Sequence, residues 1–307
     1  MSMHVRHLVS VVLAAVALSA ADGQSTLEGY LPPGRIDLVA ILPPAPAKGD
    51  IRYQADRQIF RATKRDIGSD RWDYARQDIP SSAAAVMRDF SCAAGIALSP
   101  DRQPATYRLL ARAGVDTSRE NNIAKDRFKR QRPFLIDKGA ICEPDRDSIA
   151  RSFDYPSGHA TRGWAYGLIL AELLPNRATP ILTRARAYGE SRLVCRVHNA
   201  SAVEAGRLGA TAAMDVVRTI PAFQADLAIA RSELDSPQPA PDAAACEREA
   251  RILWPSIFAG LGKRGFGRDQ FDSDRRRLAP ADAKARNPSR ATSRLQRRQQ
   301  GRYDART

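Results

Sequence analysis

The chain has 307 residues, 43% of them hydrophobic and 27% charged, with 20 Pro, 19 Gly and a formal net charge of +14. This composition excludes a collagen-like fibre and disorder throughout, and the length suffices for one sizeable core or two small ones. Only one stretch, at the extreme N-terminus, is apolar enough to enter a bilayer, which excludes a multi-span membrane protein.

That stretch is Leu8 to Ala21. A short basic head (His4, Arg6, His7) precedes it, and small residues, Ser19-Ala20-Ala21, end it. The pattern predicts a signal peptide over residues 1–21 and a mature chain starting near Asp22, periplasmic or secreted. Residues 22–66, with Pro32, Pro33, Pro43, Pro44 and Pro46, predict an extended arm on a folded body. Helical periodicity then predicts one domain over 67–261, with helices at 82–98, 107–113, 119–130, 158–174, 180–197, 203–220, 222–234 and 243–261. Alternating strand runs are scarce, so the expected fold is all-α, a single helical bundle. Ser201-Ala202-Val203-Glu204 and Thr117-Ser118-Arg119-Glu120 both read as capping boxes that open a helix.

The region 262–307 has almost no aliphatic residues. From Lys263 to Arg306 it carries 14 Lys/Arg against 5 Asp/Glu, most of the excess charge of the whole chain. It cannot bury enough apolar surface to fold alone and is expected to be a disordered basic tail able to contact anionic surfaces. Four cysteines, Cys92, Cys142, Cys195 and Cys246, permit two disulfides in any of three pairings. None forms a CxxC pair, so no cysteine-based zinc site is expected.

Once the predicted signal peptide is removed, His159 and His198 are the only histidines left. His159 ends the run Tyr155-Pro156-Ser157-Gly158-His159, which leads into an apolar helix. There Ser157 can act as N-cap, and Gly158 lets the helix N-terminus approach an anion. Lys125 and Arg132 lie seven residues apart in a basic segment, two helical turns, so both are expected to project from one helix face. Arg192 precedes His198 by six residues. Three cations, an open helix N-terminus and two histidines suit a tetrahedral oxyanion, with one histidine attacking phosphorus and the other protonating the leaving oxygen.

These residues carry a resemblance. Lys125-x6-Arg132-Pro133, then Pro156-Ser157-Gly158-His159, then Ser191-Arg192-x5-His198 follow one another with gaps of 22 and 31 residues. The sequence thereby resembles the bacterial class A non-specific acid phosphatases of the type 2 phosphatidic acid phosphatase and vanadium haloperoxidase superfamily, from about Arg71 to Phe223. The resemblance implies His198 as nucleophile through a phosphohistidine, His159 as general acid, and Lys125, Arg132, Ser157, Gly158 and Arg192 as phosphate ligands. It implies no metal or other cofactor, small phosphate monoesters as substrates, phosphate or vanadate as inhibitors, and a homo-oligomer.

One position departs from the pattern. The family's third motif places Asp four residues after its histidine, and here that residue is Ala202. The missing carboxylate would orient the imidazole and stabilise its charged form, so weakened activity is expected. Glu204, held by the predicted capping box, does not replace it. The same motifs leave two alternatives: a degenerate phosphate-binding protein without turnover, and a vanadium-dependent haloperoxidase. A lipid phosphatase fits worst, because the spanning helices of that branch are absent.

Overall fold

The computed structural model describes residues 27–260. The predicted signal peptide and basic tail lie outside them. Two compact units are distinguished, Met1–Pro255 and Ser256–Thr307. Of the second, the described residues comprise one 3-10 turn, Ile257–Gly260.

The first unit is all-helical, with no strand among its described residues. Residues 27–50 are mostly irregular, interrupted by α1 (Leu38–Ile41). The predicted arm is shorter than 22–66, because a 12-residue helix, α2 (Ile51–Ala62), begins as soon as the prolines end, with Asp50 accepting from the Arg52 amide as its cap. The irregular part is not loosely laid on the surface. The amides of Tyr30 and Leu31 donate to the buried Asp116 carboxylate at 2.6 and 3.2 Å, and Tyr30, Leu31, Ile36, Leu38 and Leu42 join the core.

α3 (Asp70–Gln77), α4 (Ala83–Asp89) and α5 (Ser91–Ala94) follow. Next comes α6 (Pro104–Phe128), one helix of 25 residues where the sequence predicts two. The capping box expected at Thr117 does not form. Inside the helix the Thr117 hydroxyl donates back to the Ala113 carbonyl at 3.0 Å, and Ser118 accepts from Arg162 at 2.8 Å. α7 (Pro133–Ile136) and α8 (Arg146–Ala150) are short. The bundle is completed by α9 (Gly158–Leu173), α10 (Ala178–Val194), α11 (Ala200–Val217), α12 (Pro221–Asp235) and α13 (Ala243–Leu253).

α9 is the axis of the unit: α6, α10 and α11 all pack on it. Its buried residues are distributed round the helix, from Ala160 and Gly163 to Tyr166, Ile169, Leu170 and Leu173, as expected of a helix surrounded by others. Small residues let its neighbours come close. A Cβ on Gly206 of α11 would lie 2.6 Å from the Ser157 carbonyl oxygen and 3.1 Å from the Ala160 Cβ, so this glycine seats α11 directly on the start of α9. The disulfide Cys92–Cys246 ties α5 to α13, and Cys142–Cys195 ties the loop after α7 to the end of α10.

Gly206→Ala tests that contact. The alanine gains about 1 kcal/mol of helix propensity but meets backbone, and overpacking of this kind costs about 1–3 kcal/mol. Denaturant unfolding is expected to show a net loss of stability, and an unchanged or raised midpoint would mean that α11 does not sit this close to α9.

Candidate active site

The site forms where the C-terminal end of α6, the N-terminus of α9 and the turn between α10 and α11 meet. His198 lies on that turn. The chain reverses after α10 because Arg196 adopts a left-handed conformation (φ 64°), which lets the amides of Val197 and His198 both reach the Arg192 carbonyl at 3.1 and 3.3 Å. That conformation is costly for an arginine. The side chain anchors it by donating to Phe60 and Ala140 carbonyls and lying 4.0 Å over the Phe60 ring. Arg192 and His198 are thus brought together by a tight reversal, which is the physical content of their six-residue spacing.

His198 is buried, and its partners dictate its tautomer. Arg132 Nη1 approaches Nε2 at 3.1 Å, and a guanidinium can only donate, so Nε2 keeps its lone pair. Nδ1 lies 3.0 Å from Asp154 Oδ1 and therefore holds the proton. Burial and the cations Arg132, Lys125 and Arg192 push the imidazole well below its ordinary pKa, which favours the neutral ring.

Arg132 does not share a helix face with Lys125, contrary to the sequence reading. α6 stops at Phe128, Lys129 turns left-handed, and Arg132 stands just before α7. The two converge through that turn: burial and the Arg132 charge lower the Lys125 ammonium to about 8. Among the described residues Lys125 has no ion-pair partner within 4.0 Å. Arg192, fully buried, pairs with Glu143 through one Nη only, while its Nε and other Nη have no hydrogen-bond partner.

The N-terminus of α9 supplies the remaining donors. The Ser157 hydroxyl accepts from the Ala160 amide at 3.4 Å, and the first intrahelical bond runs from Thr161 to Ser157, so the Gly158 and His159 amides precede it. Beside Gly158 there is room: an added Cβ would meet only Asn121 Nδ2, at 3.5 Å. That amide nitrogen is buried and unpartnered, a donor the motifs do not include, four residues before Lys125 on α6. His159 donates Nε2–H to the Ile79 carbonyl at 2.7 Å and stacks on Tyr188, leaving Nδ1 as the nitrogen that can exchange a proton. Burial and Arg192 push it well below its ordinary value. Ile79, with Cys142 and Pro144 on either side of Glu143, helps to line a cleft of about 470 Å³.

The predicted capping box at Ser201 is also absent. α11 starts at Ala200 with Asn199 as N-cap, and Glu204 faces solvent, paired with Arg207 at 2.9 Å. Ser201 instead binds Asp56 of α2, its amide at 2.9 Å and its hydroxyl at 2.5 Å, and Asp56 in turn pairs with Arg130 at 2.7 Å. Ser191 is held in the same way, its hydroxyl donating to the buried Asp78 at 2.5 Å. Asp154, Glu143, Asp56 and Asn121 were not found from the sequence. Asn121 alone left a signal there, its i,i+4 spacing from Lys125.

Buried cations, Arg192 among them with unpaired donors, stand opposite a helix N-terminus and beside an imidazole whose Nε2 lone pair faces the Arg132 guanidinium, an arrangement chemically suited to a tetrahedral oxyanion. The model of the PAP2 superfamily matches residues 106–224. An acid phosphatase of Zymomonas mobilis is 38% identical over 200 residues, 65% of this chain and 76% of its own. Non-specific acid phosphatases of Salmonella typhimurium and Providencia stuartii are 34% and 32% identical, over 78% and 81% of their lengths. The chain belongs to the PAP2 superfamily, which places it among the phosphatases.

The low Lys125 value carries a prediction. An anion binds the ammonium form, so affinity is expected to fall as pH rises through about 8. Sulfate, whose charge is constant there, is the suitable probe by calorimetry. Lys125→Arg is expected to flatten the dependence. An affinity already flat in the wild type would place Lys125 outside the anion site.

Proposed function

We propose that this protein is an exported acid phosphatase that hydrolyses phosphate monoesters through a phosphohistidine on His198. The observation that carries the reading is the Nε2 lone pair of His198 among Lys125, Arg132 and the unpaired donors of Arg192.

The phosphoryl oxygens take their bonds from Lys125, Arg132, Arg192 Nε and Nη, and the Gly158 and His159 amides. His198 Nε2 attacks phosphorus. The P–N bond forms as the P–O bond to the leaving group breaks, and the leaving oxygen takes a proton from His159 Nδ1 and departs towards the cleft by Ile79. Water then attacks phosphorus, His159 takes its proton, the P–N bond breaks, and phosphate leaves. Burial and Arg192 favour the neutral form of His159, and a phosphoryl dianion beside Nδ1 favours the protonated form that donates. Acid pH suits this cycle, since one ring must donate while the other attacks.

Export is supported by the predicted signal peptide and by two disulfides, which persist in oxidising compartments. Among the described residues no helix is long and apolar enough to cross a membrane. Ala202 does not argue for a pure binding protein, because His198 has a carboxylate on Nδ1 from elsewhere.

The test is hydrolysis of p-nitrophenyl phosphate from about pH 4 to about pH 8, with an alkaline quench to trap phosphoenzyme. Wild type is expected to turn over best on the acid side and to yield a base-stable phosphohistidine. His198→Ala is expected to lose both. Turnover surviving in His198→Ala would refute the mechanism.

A further inference from the structure

Asp154 contacts the imidazole on which the proposed mechanism rests, yet no motif contains it. It stands three residues before Ser157, in the loop leading to α9, and 44 residues from His198 in sequence. Its carboxylate is fully buried and spoken for on both oxygens. Oδ1 accepts from His198 Nδ1 at 3.0 Å and from the Asn199 amide at 3.1 Å. Oδ2 accepts from Asn199 Nδ2 at 2.8 Å and pairs with Arg130 at 3.4 Å. Its own amide donates to the Arg130 carbonyl at 2.8 Å, so the loop is fixed at both backbone and side chain.

The two segments involved are also locked to each other. The Ser157 amide donates to the Ala202 carbonyl at 2.9 Å, which fixes the loop carrying Asp154 against the first turn of α11. Ala202 is itself fully buried and offers no polar atom beyond its backbone. Two carboxylates competing for one imidazole proton in such a space would repel each other. One acidic side chain and one alanine at these two positions leave the imidazole with a single acceptor.

We infer that Asp154 is the positioning residue of His198, doing from the α9 side the work that a carboxylate at position 202 would do from α11. It holds the proton on Nδ1, keeps the Nε2 lone pair aimed into the cationic cluster, and stabilises the ring as phosphorus bonds to Nε2 and the imidazole becomes cationic. A carboxylate thus reaches Nδ1 from the loop before α9, where position 202 offers none.

The inference rests on His198 being the nucleophile, and the test separates the two. Asp154→Asn keeps the shape but has one acceptor oxygen where Asp154 has two, so it cannot hold both Asn199 donors, and its amide can donate to Nδ1 instead of accepting from it. It is expected to lower kcat roughly 10²–10⁴-fold while KM and sulfate affinity stay within about threefold. Nitrogen-15 NMR of the ring is expected to show His198 protonated on Nδ1 in wild type and a mixture of tautomers in the variant, where only Arg132 still favours the lone pair on Nε2. A kcat within about threefold of wild type, with His198→Ala inactive, would overturn the positioning role alone. An active His198→Ala would instead remove the mechanism beneath it. Equal losses of kcat and sulfate affinity would mean a structural role and would also overturn it. Should Asp154→Asn fail to fold, the wild-type Nδ1–H proton decides: a strongly downfield signal, that of an N–H shared with a carboxylate, supports the assignment, and Nε2–H or an unshifted Nδ1–H refutes it.

Discussion

Positive charge held out of water around one imidazole is the constraint on which the rest of this structure depends. Lys125, Arg132 and Arg192 are all buried, and each is stable there only if something answers its charge. Glu143 answers part of Arg192, Asp154 part of Arg132, and Lys125 stays unpaired among the described residues. Burial first and the neighbouring cations second depress both histidines and Lys125, and a bound phosphoryl group would counter the second of these.

The fold exists around that cluster as a set of clamps. Asp56 and Arg130 fix the first turn of α11, and Asp78 fixes Ser191 at the end of α10. The disulfide Cys142–Cys195 holds the loop of Glu143 against the helix that carries Arg192. Gly206 lets α11 sit against the α9 N-terminus, so the His198 turn and the Ser157 loop share one boundary. Each clamp uses groups far apart in sequence to hold a short motif rigid, which is what preorganised electrostatic catalysis requires.

Much of this could be read in the sequence, for identifiable reasons. α9 and α12 lie within a residue of their predicted ends, because each is a long apolar helix opened by a capping serine or a proline. The motif residues could be grouped from their ordered spacing, and the structure draws the segments that carry them to one place. The errors have a common cause as well. Thr117 and Ser201 look like caps by local chemistry, but α6 runs straight through Thr117, whose hydroxyl bonds back to Ala113, and Asp56 captures Ser201. Arg132 was assigned to a helix face that ends four residues earlier, at Phe128. Asp154 and Glu143 left no signal at all, because a partner 44 or 49 residues away has no periodicity.

The central claim is that buried cations converge on His198 Nε2, and a crystal structure with orthovanadate tests it most directly. Vanadium is expected to bond to His198 Nε2 in five-coordinate geometry, with its oxygens hydrogen-bonded to Lys125, Arg132 and the Arg192 Nε and Nη that are unpartnered here. His159 Nδ1 should face the apical oxygen opposite Nε2. Vanadate bound elsewhere, or bound here without contacting Arg192, would contradict the account.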